Sequence, residues 1–384
     1  MSDYIRLEKR YSFDVYPKRE LVLVKGRGAM VWDAEGKAYL DCVGGHGVAN
    51  LGHANERVLA ALNAQAEQLI TCSNLFYNDR RALLLEKLVS ISPESLTRAF
   101  LCNSGAESIE AAIKFARFTT GRTDFVCADM GFHGRTLGAL SATYKSEYRE
   151  AFQPLVPGFS FAQFNDAESF SALVTDKTAG VILEVVQGEG GIRVARPEFL
   201  RHLRDLCDRT GALLIIDEIQ SGFCRTGRMF ACEHFDLQPD ILCVAKAIAG
   251  GLPMGAVVCS QKVKVPVGKH GTTFGGNPLC CAAALAAIDF MLEKRLAAQA
   301  EEKGEYLLAQ LRRARLAQVK EIRHLGLMIG IELTGPAQPA IMRLMEAGVL
   351  VFPAGKSVLR VFPPLVVTYA ELDFLAEKLI ECLG

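Results

Sequence analysis

Short apolar runs recur through the middle of the chain, at Arg98 to Cys102, Asp124 to Ala128, Gly180 to Val186, Ala212 to Asp217, Ile241 to Lys246 and Gly255 to Ser260. Runs of this length without alternation suit strands buried on both faces, and they predict a parallel sheet. Between them, Glu107 to Arg117 and Pro197 to Arg209 carry apolar residues at three- and four-residue spacing, which predicts amphipathic helices covering that sheet. Beyond Leu292 the pattern changes to a charged helix through Arg315, then a few strands and a last helix. Near the start, Ala29 to Trp32 and Lys37 to Leu40 predict a hairpin across Asp33-Ala34-Glu35-Gly36. The expected architecture is α/β: a large domain over 46–290 and a small α+β domain built from both termini, 1–45 and 291–384.

Sheets of this kind bind ligands beyond the carboxyl ends of their strands. The conspicuous polar residues fall there: Asn103-Ser104-Gly105, Gln187-Gly188-Glu189, Asp217-Glu218 and Lys246 each follow an apolar run. Ser104 and Glu107 have the spacing of a capping box, and exposed amides at that helix start suit a phosphate. Taken alone, the segment reads more readily as an ordinary cap with no ligand. Lys246 is the most unusual of the group, because a buried ammonium is costly unless paired or neutralised. A lysine there can hold an aldehyde cofactor as an imine and move a proton as a free amine. Asp217, at a neighbouring strand end, can keep a pyridine nitrogen protonated.

Composition narrows the alternatives. The 384 residues carry 43 Lys plus Arg against 43 Asp plus Glu, so no net field favours nucleic acid or an anionic membrane. Twelve cysteines show no C-x-x-C spacing and several lie in apolar runs, which predicts buried reduced thiols. The seven histidines form no H-E-x-x-H, and no metal site is expected. The opening residues lack a basic start followed by an apolar block, so a cytoplasmic location is expected. Asp217-Glu218 could also end the magnesium strand of a nucleotide hydrolase. The phosphate loop that should accompany it is missing, since Leu350 stands where Gly355-Lys356-Ser357 would need a glycine.

Six segments in order, Asn103 to Glu107, Gly131 to Thr136, Gln187 to Gly191, Asp217 to Gln220, Ala245-Lys246 and Thr273 to Pro278, make nearly the whole chain resemble the class III, or ornithine-type, aminotransferases dependent on pyridoxal 5'-phosphate (PLP). The resemblance implies a type I PLP-transferase fold and a homodimer with shared active sites. It implies that Ser104, Gly105 and Ala106 hold the cofactor phosphate, Phe132 stacks on the ring, Asp217 pairs with the ring nitrogen and Gln220 reaches the phenolic oxygen. Lys246 becomes the Schiff-base lysine, and Thr273 reaches the partner's phosphate with Thr272 near the substrate. Arg135 would bind the carboxylate of an N-acylated diamino acid. Arg360 would grip glutamate or 2-oxoglutarate, masked in turn by Glu189.

Within the family, Thr71 to Tyr77 is similar to the acetylornithine branch of arginine biosynthesis. Asp41 to Gly45 and Gly47 to His53 resemble the lysine-biosynthesis branch that acts on carrier-protein-bound aminoadipate semialdehyde. Ornithine or 4-aminobutyrate aminotransferases and a non-catalytic PLP-binding homologue are the other readings. His46 departs from the aliphatic residue or Tyr usual at its position, and its role stays open.

Overall fold

The computed structural model describes residues 3–384. Its 7-stranded sheet runs Leu96–Cys102, Gly255–Ser260, Ile241–Val244, Leu213–Asp217, Thr178–Leu183, Asp124–Ala128 and Phe159–Ala162 in spatial order. The interior strands pair in parallel, but Gly255–Ser260 is antiparallel to both neighbours. This corrects the expectation of a parallel strand there. An apolar run reports burial on two faces and carries no information about direction. Phe159–Ala162, at the sheet edge, is too short and too exposed to give an apolar run.

The helix Gly105–Thr120 buries Ile109, Ala112, Ile113 and Ala116 on one face and stops at Gly121 in the left-handed region. Pro197–Thr210 does the same through Phe199, Leu203 and Leu206, with proline in its first turn and Gly211 as its left-handed stop. The charged helix predicted beyond Leu292 spans Leu296–Arg313 and is separated from Pro278–Glu293 by Arg295 at φ 53°.

Two further sheets of four strands complete the frame. Val319–Leu325, Met328–Leu333, Val358–Val361 and Phe352–Ala354 form an antiparallel sheet. The predicted hairpin is present, with Val31 opposite Tyr39. Its turn is fixed by Asp33 Oδ1, which accepts from the amides of Glu35 and Lys37 at 3.1 and 2.8 Å. Val349–Leu350 then adds in parallel beside Ala38–Asp41, joining the two ends of the chain in one sheet.

Arg225 clasps these parts together. Fully buried, its guanidinium donates to the carbonyls of Leu327 and Pro363 at 3.1 and 2.6 Å and to Asn50 Oδ1 at 2.6 Å. Burial pushes it down to about 9. Three neutral acceptors hold a cation that has no carboxylate partner among the described residues, and they anchor the segment directly after Arg360. All twelve cysteines are free thiols, and only Cys72 and Cys382 keep appreciable surface.

Candidate active site

The strand Leu213–Asp217 ends by placing Asp217 in a pocket of polar partners, with only 3 % of its surface exposed. Its Oδ2 lies 2.7 Å from His133 Nδ1, and its Oδ1 accepts from the amide of Ile219 at 2.9 Å. Burial alone would push His133 down. The hydrogen bond and charge of Asp217 outweigh it, so the imidazole sits above its usual value. An Nδ1–H facing the carboxylate fits both facts. The amides of Phe132 and Gly188 donate to Glu184 at 3.0 Å each. Burial, reinforced by the charge of Asp217, pushes Glu184 up to about 7. The roles of His133 and Glu184 had no signal in the sequence: His133 lies in the segment Gly131 to Thr136, but its contact with Asp217 across 84 positions has no local signature.

The strand Ile241–Val244 stops two residues short of Lys246, not at it. Ala245 turns the chain, and Lys246 begins a 3-10 turn at φ 48°, a conformation that costs a side-chain-bearing residue about 1–2 kcal/mol. That turn replaces the simple strand end expected from the sequence and leaves the lysine only partly accessible. Enclosure pushes its amine down to about 8; Asp217 opposes this and Arg360 adds to it. An ordinary lysine is almost wholly protonated at neutral pH, whereas this one has a usable fraction of neutral nucleophile. Competitive acetylation of the apoprotein, read by mass spectrometry, should therefore give half-maximal reactivity of Lys246 near pH 8. Asp217→Asn should move that midpoint lower, because it removes a charge that favours the ammonium. A midpoint near 10.5 would refute the lowered value.

Half of the expected capping box at the start of Gly105–Thr120 is built: Ser104 Oγ accepts from the amide of Glu107 at 3.1 Å, but Glu107 Oε2 accepts at 2.7 Å from the amide of Asn103, one residue before the cap, in place of the Ser104 amide. The Gly105 and Ala106 amides open the helix and have no intrahelical acceptor. Gly105 is required by packing, since a Cβ there would meet the Ile219 side chain at 2.9 Å. The glycine thus lets the helix start lie against the end of the Asp217 strand. Asn103 Nδ2 donates to Thr272 Oγ1 at 3.2 Å, whereas Thr273 is exposed on the same loop.

On the opposite wall, Arg360 is 3 % exposed, and its Nη2 lies 2.5 Å from Glu189 Oε1. Its guanidinium sits 4.1 Å above Phe352, its Nε donates to the Pro353 carbonyl at 3.0 Å, and its Nη1 is buried with no partner. Burial lowers this arginine, partly offset by Glu189. Arg135 is exposed and rests 3.8 Å over the Tyr148 ring and 5.6 Å from that of Phe132. Gln220 Nε2 donates to the His46 carbonyl at 3.2 Å, while its Oε1 is buried without a partner. His46 belongs to a run of four left-handed residues, Gly44 to Gly47, and its ring meets Phe352 edge-on at 5.1 Å.

A softened lysine, a buried carboxylate braced by histidine and free helix amides, gathered at strand ends of an open α/β sheet, define a PLP-dependent transferase site. An enclosed amine of this kind can condense with an aldehyde, and free amides at a helix start can accept a phosphate.

The family model Aminotransferase class-III matches residues 14–383, and the chain belongs to this family of PLP-dependent transaminases. It is 47% identical over 377 residues to the [LysW]-aminoadipate semialdehyde transaminase of Deinococcus radiodurans, covering 97% of this chain and 88% of that protein. It is 46% identical to the acetylornithine aminotransferase of Methanosarcina acetivorans, covering 98% and 95% respectively. Among solved structures, the ornithine aminotransferase of Toxoplasma gondii superposes with a TM-score of 0.95 at 34% identity, covering 99% of this chain and 94% of that one.

Proposed function

We propose that this enzyme moves the terminal amino group of N-acetylornithine, or a related N-acylated diamino acid, to 2-oxoglutarate by a reversible ping-pong reaction. The observation that carries the reading is the Arg360–Glu189 pair facing Lys246. A donor with a neutral reacting end and an acceptor with two carboxylates need a cation that can be masked, and this pair supplies one. Bound PLP supplies an aldehyde that condenses with amines and a ring that accepts the electron pair released at the reacting carbon. Lys246 Nζ would take the proton from that carbon and deliver it to the neighbouring carbon that had carried the aldehyde. Asp217, held by His133, keeps a proton on the ring nitrogen.

Ser104, Gly105 and Ala106 would hold the phosphate, Phe132 the ring face and Gln220 Oε1 the phenolic oxygen, the last suited by its missing partner. Arg135 would meet the donor's carboxylate and Arg360 that of glutamate. The 47% identity to the Deinococcus enzyme favours a second reading, a carrier-protein-bound aminoadipate semialdehyde as substrate. A panel of donors assayed with 2-oxoglutarate, including ornithine with and without its N-acyl group, tests the assignment. Equal use of acylated and free ornithine would defeat it.

Thr273 would complete the site of a second copy in a homodimer. Leu75, Phe76, Tyr77 and Phe274 are 89, 68, 106 and 64 % exposed, and Asn74 ties their two loops by bonds to the Thr272 and Gly275 carbonyls. Such an apolar patch suits an interface. Sedimentation should give a dimer; a fully active monomer would contradict the shared site.

A further inference from the structure

Glu189 sits in the turn between the short strands Val186–Gln187 and Arg193–Val194. The turn ends in two residues of positive φ, Gly191 at 97° and Ile192 at 58°. Left-handed backbone is costly for a β-branched residue, so this turn needs outside support to keep its shape. Part of the support is local: the amide of Ile192 donates to the Gln187 carbonyl at 2.9 Å. The rest comes from the C-terminal antiparallel sheet, where Arg323 donates from Nε to the Gly191 carbonyl at 2.9 Å. Arg323 is itself aimed by Glu332 Oε2, 2.6 Å from its Nη1, and by Glu321. Hydrogen bonds from Lys320 and Arg323 push Glu332 down to about 2, so the carboxylate that aims Arg323 is charged at neutral pH.

The register of that sheet puts two arginines in one row. Arg323 pairs with Gly330, and Gly330 pairs on its other side with Arg360. Directly paired residues of an antiparallel sheet share a face, so both side chains leave the same face two strand spacings, or about 10 Å, apart. Gly330 keeps the space between them open: a Cβ there would meet Ile192 Cγ1 at 2.7 Å and the Gly191 carbonyl oxygen at 3.2 Å. The turn therefore lies directly on this glycine. One arginine grips its backbone at Gly191, and the other grips its side chain at Glu189.

We infer that Arg323 is a positioning residue for substrate selection: its grip on the Gly191 carbonyl fixes the turn against the sheet, so that Glu189 covers Arg360 by default and uncovers it by side-chain rotation alone. This rests on the reading of Arg360–Glu189 as a switch and adds the residue that sets its balance. Arg323 acts through Glu189 and not on the substrate. With the anchor gone, the left-handed turn relaxes, Glu189 spends less time on Arg360, and the arginine is open to glutamate more often.

The test uses the holoenzyme, with N-acetylornithine and glutamate each reacted alone in single turnovers. Arg323→Met should lower the preference for the acylated donor over glutamate about fivefold, the scale of one lost hydrogen bond, without slowing glutamate. Arg323→Lys, which keeps a donor for the carbonyl, should retain most of the preference. Glu332→Gln should move it in the same direction as Arg323→Met. In a Glu189→Ala background, Arg323→Met should add almost nothing, because two residues acting through one contact are not additive. Equal slowing of both half-reactions by Arg323→Met, or an effect just as large without Glu189, overturns the positioning role. If circular dichroism shows Arg323→Met unfolded, Glu332→Gln decides, and an unchanged preference there overturns the role. A preference unmoved by Arg323→Met but lowered by Glu189→Ala overturns this inference alone. A preference unmoved by Glu189→Ala removes the underlying switch with it.

Discussion

Lys246→Ala is expected to reduce steady-state transamination by at least about 10³-fold, the range for losing a group that both anchors the cofactor and moves the proton. The expectation comes from geometry. The lysine is thrown off its strand by Ala245 into a left-handed turn and is held where burial lowers its amine to about 8, beside the charge of Asp217. No other lysine shares these features: Lys303, the other strongly enclosed one, donates to the Leu365 carbonyl and to Gln299 and is committed to structure. The measurement is initial rate with glutamate as donor, alongside far-ultraviolet circular dichroism to establish that the variant is folded. Partial return of activity with a small primary amine in solution would locate the loss in the missing amine. Undiminished turnover by a folded variant would remove Lys246 from the mechanism.

Much of this arrangement was legible in the sequence because it depends on local patterns. The Ser104–Glu107 cap is set by residue types three apart, and the strands ending at Cys102, Ala128 and Asp217 are set by continuous apolar runs. What escaped depends on distant parts of the chain. Strand direction at Gly255–Ser260 is chosen by the connection that leads into it, and the bond from His133 to Asp217, with Glu184 close by, arises only when three strand ends come together. The left-handed turn at Lys246 escaped for another reason. A lysine is a poor candidate for positive φ, so propensity argues against the conformation that the site requires.

His46 illustrates the same limit. Its position in a glycine-rich segment was plain, but its use was not: the backbone carbonyl receives Gln220, and the ring lies against Phe352, the residue under the Arg360 guanidinium. The histidine thus touches supports of both the proposed cofactor and carboxylate contacts. Its imidazole is lowered by burial and by the nearby Arg360 and Lys246 charges, which favours the neutral form beside that cation.

Arg360→Ala and Glu189→Ala are expected to separate the two half-reactions. Arg360 is buried, one of its nitrogens is without a partner, and among the described residues its only ion pair is with Glu189 at 2.5 Å. A glutamate carboxylate arriving there must displace or share that contact, and a donor with a neutral chain must leave it closed. Removing the arginine deletes a charge-assisted, potentially bidentate contact and leaves Glu189 as an unpaired acid in the path of an anionic substrate. The glutamate half-reaction should fall by about 10²–10³-fold, in line with truncating a buried charged partner. The half-reaction of the N-acylated donor should change by no more than about threefold, the scale of a contact that this donor does not use. Removing Glu189 has the opposite sense. The arginine becomes permanently available, so glutamate should react as well as before or better, while preference for the acylated donor over glutamate should drop by about tenfold. Single-turnover absorbance changes at the cofactor band, recorded for each substrate alone, measure the two halves independently. Equal losses in both halves for both variants would make Arg360–Glu189 a fixed structural pair and end its role as a switch.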